Sequence, residues 1–286
     1  MKKPICGLCS GKRVSFYKYE NAYKILKCES CNVKFLPQEE LNKINLKTLY
    51  SKKYFKTKNK IGYENYLNAE KIHRRNFQRI IKKVLKKRLN KTTKVCLDFG
   101  CAHGFLLDEL RKKNITATGI EISKTARLYA KKKLKLEVYE KIQDLGNRRN
   151  VYDAIFLIGV VEHLKLPKEI FTRLLKLMKH EGTLCITTLD CEGVFPFFSY
   201  KPPEHTFYFS HSNLIKILLR CGFSKISYKT LWVEYSVFDI VFRIFHYFNL
   251  KNHIKILAPI QKAFSELTLK IPTNEIILFA EKYDHR

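Results

Sequence analysis

The chain has 286 residues, enough for one full-sized domain and a smaller one. Apolar residues make up 45% of it, so a core is easily built, and 55 basic against 26 acidic residues give a formal net charge of +29. This charge excludes a strongly acidic protein. It favours phosphate-rich partners or an anionic membrane surface, although a lysine-rich composition explains it equally well.

No apolar run in the sequence approaches the ~20 residues that span a bilayer. No basic segment followed by an apolar one opens the chain, which begins Met1-Lys2-Lys3-Pro4. We therefore expect a cytoplasmic protein with, at most, peripheral membrane contact. Nine cysteines in such a protein are expected to be thiols or metal ligands rather than disulfides.

Two C-x-x-C knuckles stand near the start of the chain. Cys6 and Cys9 form the first, Cys28 and Cys31 form the second, and 18 residues separate them. Four thiolates at this spacing are typical of a structural zinc site. A redox pair is the alternative, but neither knuckle opens a predicted helix. Because the residues between the knuckles alternate enough for a hairpin, we predict a zinc ribbon over residues 1–38.

A basic segment follows the knuckles. Residues 39–94 show no strand-like alternation, and we interpret them as a helical connector or cap. Apolar spacing predicts one long helix over residues 65–89. The other face of that helix is basic, with Lys71, Arg74, Arg75, Arg79, Lys82, Lys83, Lys86, Lys87 and Arg88. This face is either a solvated surface or a surface for nucleic acid or lipid headgroups.

Strands and helices alternate from residue 95 onward, which predicts an open, doubly wound α/β sheet. The first strand ends at Asp98 and enters a turn with Gly100 and Gly104, and the second strand ends at Glu121. In such sheets this arrangement presents backbone N–H groups to a ligand and an acid to a ribose. The loop lacks the glycine spacing that fits a pyrophosphate, so a nicotinamide cofactor is disfavoured.

These features together resemble the class I S-adenosylmethionine-dependent methyltransferases, and among them a bacterial subgroup with an N-terminal zinc ribbon that acts on sugars and other small molecules. The resemblance covers nearly the whole chain. It rests on the order and spacing of the four cysteines and of residues 97–104, 119–123, 152–155, 161–164 and 203–210. It implies a seven-stranded Rossmann-like domain over residues 95–286 and S-adenosylmethionine as cofactor.

The resemblance also implies a set of cofactor contacts. The glycine loop, with Gly100, Ala102 and Gly104, passes under the methionine part. The first acid, Asp98, orients the loop or the cofactor amine, and the second acid, Glu121, binds both ribose hydroxyls. An isoleucine stacks on the adenine, and a glycine after the fourth strand faces the methionine carboxyl group. In chain order these residues are Asp98, Gly100, Ala102, Gly104, Glu121, Ile142 and Gly159. Ala102 stands where the family commonly has a glycine, and we expect the position to need room rather than a left-handed backbone.

Two histidines are candidate bases for proton removal from an acceptor. His163 follows Glu162 beyond the fourth predicted strand, and His205 lies in a Pro-Pro-Glu-His loop after the fifth. Both lie at the carboxyl edge of the predicted sheet, and an imidazole of ordinary pKa suits proton removal near pH 7. The alternative is that each ring only ties its loop to backbone carbonyls.

An aromatic segment, residues 231–272, separates the last two predicted strands. We interpret it as a helical insertion that forms a lid; a dimer interface, a membrane-facing surface or an extension of the core are alternatives. The leading hypothesis for function is methyl transfer to a small molecule such as a nucleotide-linked or glycan-borne sugar. The alternative is an RNA methyltransferase that uses the ribbon and the basic helix to bind phosphates. A binding protein without catalysis is the third hypothesis.

Overall fold

The computed structural model describes residues 4–51, 54–55, 66–87, 94–194, 196–241 and 267–282. Its strands and helices were assigned in chain order. They are β1 (Val14–Glu20), β2 (Tyr23–Cys28), β3 (Lys34–Phe35), α1 (Gln38–Lys43), α2 (Leu46–Leu49), α3 (Glu70–Lys87), β4 (Val95–Phe99), α4 (Phe105–Arg111), β5 (Thr116–Ile120), α5 (Lys124–Lys132), β6 (Glu137–Tyr139), β7 (Tyr152–Ile158), α6 (Pro167–Leu177), β8 (Met178–Leu189), β9 (Phe207–Tyr208), α7 (His211–Arg220), β10 (Phe223–Ser236) and β11 (Thr268–Lys282).

The larger sheet has seven strands in the order β10-β11-β8-β7-β4-β5-β6. Strands β6, β5, β4, β7 and β8 run parallel, and β11 is antiparallel to both of its neighbours. The central strand β7 is buried along almost its whole length because it is covered on both faces, as its nearly all-apolar sequence requires. This sheet confirms the predicted doubly wound α/β fold.

The chain order of the strands reverses beside β4. Strands β5 and β6 lie on one side of β4, whereas β7 and β8 lie on the other. In open parallel sheets ligands bind beyond the carboxyl ends of the strands at such a switch point. Residues 100–104, which leave β4, and residues 159–163, which leave β7, therefore border the same crevice.

The smaller sheet joins the cysteine-rich segment to the rest of the molecule. Its order is β1-β2-β3-β9, so the predicted hairpin is extended by a two-residue strand that lies 170 positions or more along the chain from it. Phe35 pairs with Phe207, and Lys34 pairs with Tyr208. The Leu36 N–H also donates to the Thr206 carbonyl at 2.9 Å. The sheet is compatible with a zinc ribbon, and its pairing with β9 was not predicted.

Two predicted boundaries change. Helix α3 spans Glu70–Lys87 rather than 65–89, of which 65 and 88–89 lie outside the described residues. Strands β10 and β11 pair out to Ser236↔Thr268, so the prediction of a helical insertion over 231–272 was wrong at both ends. The aromatic and β-branched residues there favour strand pairing.

The part of the predicted lid that is not occupied by strands lies between β10 and β11. Residues 237–241 are helical, and residues 242–266 lie outside the described residues. Within the described ranges, none of the helices combines the length and the apolar character that a membrane span requires.

Candidate active site

The loop after β4 is shaped by two glycines with left-handed backbone. Gly100 and Gly104 both have a φ of +83°. A Cβ at Gly100 would lie 2.5 Å from Cγ2 of Val160, which belongs to the segment that leaves β7. The N–H groups of Gly100 and Cys101 both donate to the Ile120 carbonyl, at 2.7 and 3.0 Å. Only glycine therefore allows the two crevice segments to approach so closely.

Ala102 also adopts the left-handed region, with a φ of +46°. The expectation that this position needs only room was therefore wrong. Its N–H donates to Oε2 of Glu121 at 2.8 Å, and that bond holds the loop against the end of β5. An alanine in this region is less favourable than a glycine by about 1 kcal/mol, because its Cβ crowds the backbone.

Glu121 lies at the end of β5 and is buried. Its Oε1 accepts a hydrogen bond from the Ser123 N–H at 2.6 Å, and its Oε2 accepts the one from Ala102. Each carboxylate oxygen has a second lone pair, so both can still accept a hydroxyl from a ligand. Burial raises the pKa of Glu121. Ser123 stands at the start of α5, and its buried hydroxyl has no partner among the described residues.

Asp98 is the second acid of the crevice. Burial, and then the neighbouring Glu121 charge, raise the pKa of Asp98 to about 8. Both buried carboxyl groups have raised pKa values and favour a ligand with positive charge, because a cation would stabilise their ionised forms.

The other two predicted cofactor residues lie around the same edge of the sheet. Ile142 is buried in a 3-10 turn, Ile142–Leu145, that follows β6. Gly159 follows β7 with a φ of +62°, and a Cβ built on it would meet no described atom within 4 Å. Its N–H donates to the Thr187 carbonyl at 3.0 Å and to the Thr187 hydroxyl at 3.1 Å.

Aromatic residues of the connector cover the glycine loop. Tyr66 stacks on His103 with ring centroids 5.1 Å apart, and Phe55 meets the same ring edge-on at 4.8 Å. His103 is buried, and its Nδ1 has no hydrogen-bond partner among the described residues. Burial lowers the pKa of His103 to about 4, so the ring is neutral. The sequence analysis missed His103; its place between Ala102 and Gly104 was the available signal.

The structure brings the two candidate bases together. The rings of His163 and His205 have centroids 4.8 Å apart and an interplanar angle of 80°. His163 Nδ1 lies 2.8 Å from the Glu204 carbonyl, and His205 Nδ1 lies 2.7 Å from the Ser199 carbonyl. A carbonyl can only accept, so both Nδ1 atoms donate, and in the neutral form of each ring the lone pair lies on Nε2. Burial lowers the pKa of His205 well below its usual value, which corrects the ordinary pKa that we expected.

Two acids that sequence reasoning did not assign accompany these rings. Glu162 is buried and accepts a hydrogen bond at 2.9 Å from the hydroxyl of Thr188, near the end of β8. Glu204 accepts one at 2.6 Å from the hydroxyl of Tyr54, in the connector. The connector therefore contacts both the glycine loop and the loop that carries His205.

The basic face of α3 is only partly a solvated surface. Arg74 Nη1 lies 2.7 Å from both Asp108 and Glu109 of α4, while Arg75 and Arg79 form ion pairs with Glu234 of β10. These three arginines hold the connector on the sheet domain. The lysines of that face that remain exposed are Lys71, Lys82, Lys83, Lys86 and Lys87.

The four cysteine sulfurs of the N-terminal segment converge. The Sγ atoms of Cys6 and Cys31 are 3.7 Å apart and those of Cys9 and Cys28 are 3.5 Å apart. All four lie within 4.8 Å of one another. A tetrahedral zinc ion with Zn–S bonds of about 2.3 Å has S···S edges of about 3.8 Å, so the residues fit this ion.

The fold and the crevice define a Rossmann-like protein that binds a nucleoside-bearing ligand at the switch point. Residues 69–228, more than half of the chain, match the family model described as a methyltransferase domain. The chain belongs to this family, and it is of the class I type that uses S-adenosylmethionine.

Individual relatives agree with this class. Over 128 residues the chain is 30% identical to the ubiquinone biosynthesis O-methyltransferase of Rickettsia typhi, which corresponds to 42% of this chain and 52% of that protein. The chain thus spans about half the length of the curated relative it matches. A SAM-dependent methyltransferase from Archaeoglobus fulgidus has a TM-score of 0.51 at 19% identity, over 76% of this chain and 99% of that one. The YcgJ protein of Bacillus subtilis has a TM-score of 0.54 at 10% identity, over 74% and 100%.

Proposed function

We propose that the protein transfers the methyl group of S-adenosylmethionine to a hydroxyl group of a small-molecule acceptor. The observation that carries this proposal is the pair of buried acids, Asp98 and Glu121, beside a left-handed loop at the switch point. S-adenosylmethionine has a sulfonium and an ammonium group, so its charge complements two acids. A pyrophosphate cofactor would be repelled by them.

The residues of the crevice suit the parts of this cofactor. Glu121 is fixed by two backbone N–H groups and can accept both ribose hydroxyls. Gly100, Ala102 and Gly104 leave room for the methionine part, and Asp98 faces the region of its amine. Ile142 offers an apolar surface to the adenine, and Gly159 leaves open space next to β7. When bound, the cofactor supplies an already activated methyl group.

The acceptor side of the site is formed by His163, His205 and Glu162. The protein has to align the acceptor oxygen with the methyl carbon, exclude water and remove the hydroxyl proton. The Nε2 atoms of His163 and His205 provide the basic groups that remove the hydroxyl proton. Tyr54 and Phe55 of the connector cover the crevice and limit access of water.

A sugar hydroxyl, on a nucleotide or a glycan, is the acceptor we favour. Glu162 and Tyr50 lie beside His163, and acidic and aromatic groups of this kind bind polyols. The RNA alternative relied on the basic helix, but Arg74, Arg75 and Arg79 of that helix are engaged in ion pairs. The zinc ribbon, with Cys6, Cys9, Cys28 and Cys31 as ligands, belongs to the same proposal as a structural element.

Calorimetric titration with S-adenosylmethionine tests the cofactor. We expect the wild type to bind one equivalent and Glu121→Ala to lose about 10- to 100-fold in affinity, because hydrogen bonds to a buried charged group are lost. Glu169→Ala, on the exposed face of α6, is the matched control and should bind as the wild type does. A wild type that does not bind the cofactor would overturn the proposal.

Release of S-adenosylhomocysteine tests the acceptor. We expect turnover with members of a nucleotide-sugar panel and none with bulk tRNA. His205→Ala should lose turnover but keep the wild-type affinity for S-adenosylmethionine, because His205 comes from the loop between β8 and α7, whereas Asp98 and Glu121 lie at the ends of β4 and β5. Turnover with tRNA, together with affinity that falls steeply with salt, would favour the RNA alternative instead.

A further inference from the structure

A second cluster of metal-ligating groups lies outside the zinc ribbon. The side chains of Glu162, His163 and His205 each offer a ligand atom, and these atoms lie within 4.8 Å of one another. Glu162 and His163 are in the 3-10 turn Val161–His163 that follows β7, whereas His205 comes from the loop between β8 and α7. Three different chain positions thus converge at the carboxyl edge of the sheet.

The hydrogen bonds of both rings prepare them for metal binding. Each Nδ1 donates to a backbone carbonyl, of Glu204 for His163 and of Ser199 for His205. This fixes the tautomer with the lone pair on Nε2, and it is the outer contact that metal-bound histidines make almost without exception. The Thr188 hydroxyl likewise orients Glu162 by donating to its Oε2 at 2.9 Å.

The relative placement of the rings agrees with one shared ion. Two imidazoles that bind one metal through Nε2 at about 2.1 Å have centroids about 4.5–5 Å apart when the angle at the metal is about 90–100°. The observed centroid separation is 4.8 Å, with the rings nearly perpendicular.

We infer that Glu162, His163 and His205 bind a divalent transition-metal ion. Two imidazoles and one carboxylate on one side of an ion are typical of iron(II), and they also suit zinc, cobalt and manganese. Magnesium and calcium prefer oxygen ligands and are disfavoured. Three protein ligands leave coordination positions open, in contrast to the closed site of the four cysteines.

The inference rests on the proposed function and changes how the acceptor is activated: Nε2 atoms that hold the ion cannot also take the proton, so the ion takes over the role that the proposed function gives to the two rings. An open position on the ion would bind the acceptor hydroxyl and lower its pKa, so the proton leaves to water at the half-buried His163 edge. The acceptor oxygen then forms its bond to the methyl carbon while the carbon–sulfur bond breaks and sulfur keeps the electron pair. The reaction is balanced and needs no oxidant. The acceptor would be a molecule with a second oxygen next to the hydroxyl, such as a vicinal diol, because two oxygens can bind the ion together.

Manganese(II) is a suitable probe for the experiment because thiolates of the ribbon select zinc over this ion. The zinc-loaded full chain is titrated with manganese(II), and binding is followed by electron paramagnetic resonance. We expect about one manganese(II) per chain, and an affinity loss of about 10-fold or more in Glu162→Gln and His205→Ala. His211→Ala is the control, since His211 contacts Asp190 outside the cluster and should leave manganese binding unchanged.

Two further readouts separate this inference from the proposed function. Each variant is tested for S-adenosylmethionine affinity, which should equal that of the wild type and shows that the variant is folded. If manganese(II) and iron(II) fail to bind while the wild type binds the cofactor and remains active in chelator, the metal site is overturned, and the imidazoles act directly as bases. If the wild type does not bind the cofactor, the proposed function fails whatever the metal result.

Discussion

Ala102 is the residue of the glycine loop that has a left-handed backbone without being a glycine, and this backbone defines its effect. The left-handed φ of +46° is imposed by the hydrogen bond from its N–H to Glu121 and by the neighbouring Gly100 and Gly104. The loop therefore keeps the shape that a glycine would adopt more easily. The alanine reduces the stability of the loop without changing its contacts.

Replacing this residue provides a direct measurement. Ala102→Gly should raise the free energy of unfolding by about 0.5–1 kcal/mol, because relief of the Cβ clash exceeds the entropy that glycine adds to the unfolded chain. Urea unfolding checks this value. Ala126 lies in helix α5, where the backbone is right-handed, so Ala126→Gly should lower the stability instead. A loss of stability in Ala102→Gly would contradict the strain argument.

The raised pKa of Asp98 predicts a pH dependence of cofactor binding. With a pKa of about 8, Asp98 is mostly protonated at pH 7 in the free protein. A bound sulfonium–ammonium cofactor favours the ionised form, so binding at pH 7 should release up to about one proton, and affinity should rise from pH 6 to pH 8. Calorimetry in two buffers of different ionisation enthalpy measures the proton. Asp98→Asn should release less, and equal release would refute the assignment.

At the scale of elements, helix α3 is held to the sheet domain by charge as well as by its apolar face. Ile80, Ile81 and Val84 are buried, and Arg74 lies between Asp108 and Glu109 of α4. The two acids are themselves almost fully buried. Their pKa values are lowered by hydrogen bonds to Arg74 and other cations, against the effect of burial. One side of the basic face therefore forms ion pairs that hold the helix in place, and the other side consists of exposed lysines.

These two sides should respond differently to mutation. Arg74→Met should lower the free energy of unfolding by about 3 kcal/mol, because two buried carboxylates lose a shared partner. Lys82→Met, on the exposed side of the same helix, should change it by less than about 0.5 kcal/mol. Both values follow from urea denaturation. Equal effects would mean that the ion pairs of α3 contribute nothing beyond a surface contact.

The elements that the sequence predicts are those with a local pattern. Strands β4 and β7 are predicted by their mostly apolar sequences, and the Asp98–Gly104 loop is predicted by its glycines. Strand β9 has only two residues, too few for any periodicity, and it forms because Phe35 is brought to Phe207 by the tertiary fold. Only the parts of β10 and β11 within residues 231–272 were assigned to an insertion, because their pairing joins segments that are distant in the sequence. The ion pair between Arg74 and Asp108 could not be predicted, because the spacing of residues in the sequence does not show which side chains of different helices meet.

At the scale of the whole molecule, the N-terminal ribbon contacts the loop that carries His205. Phe35 stacks with Phe207 at a centroid separation of 6.0 Å, and the Thr206 carbonyl accepts from Leu36. Thr206 directly follows His205, and its N–H donates to the Glu162 carbonyl at 2.8 Å. Order in the ribbon is therefore transmitted to two of the three groups of the proposed acceptor site, His205 and Glu162, whereas the glycine loop is contacted by the connector.

Loss of the ribbon's metal should separate acceptor chemistry from cofactor binding. Cys28→Ser removes one of the four proposed zinc ligands, and we expect the ribbon to be destabilised when it cannot hold the ion. We expect a lower melting temperature and turnover reduced by about 10-fold or more, because β9 loses its partner strand and the His205 loop loses its support. The affinity for S-adenosylmethionine should stay within about twofold of the wild type, since Asp98 and Glu121 belong to β4 and β5.

The matched control for this experiment is Cys221→Ser, a half-buried cysteine at the end of α7 that is not part of the cluster. It should keep its zinc, its turnover and its cofactor affinity. If Cys28→Ser loses cofactor affinity in parallel with turnover, the ribbon stabilises the whole molecule rather than the acceptor loop. If it keeps full turnover, the β3–β9 pairing is not needed to hold His205. If the ribbon supports the His205 loop through β9, Cys28→Ser should lose turnover and keep its cofactor affinity.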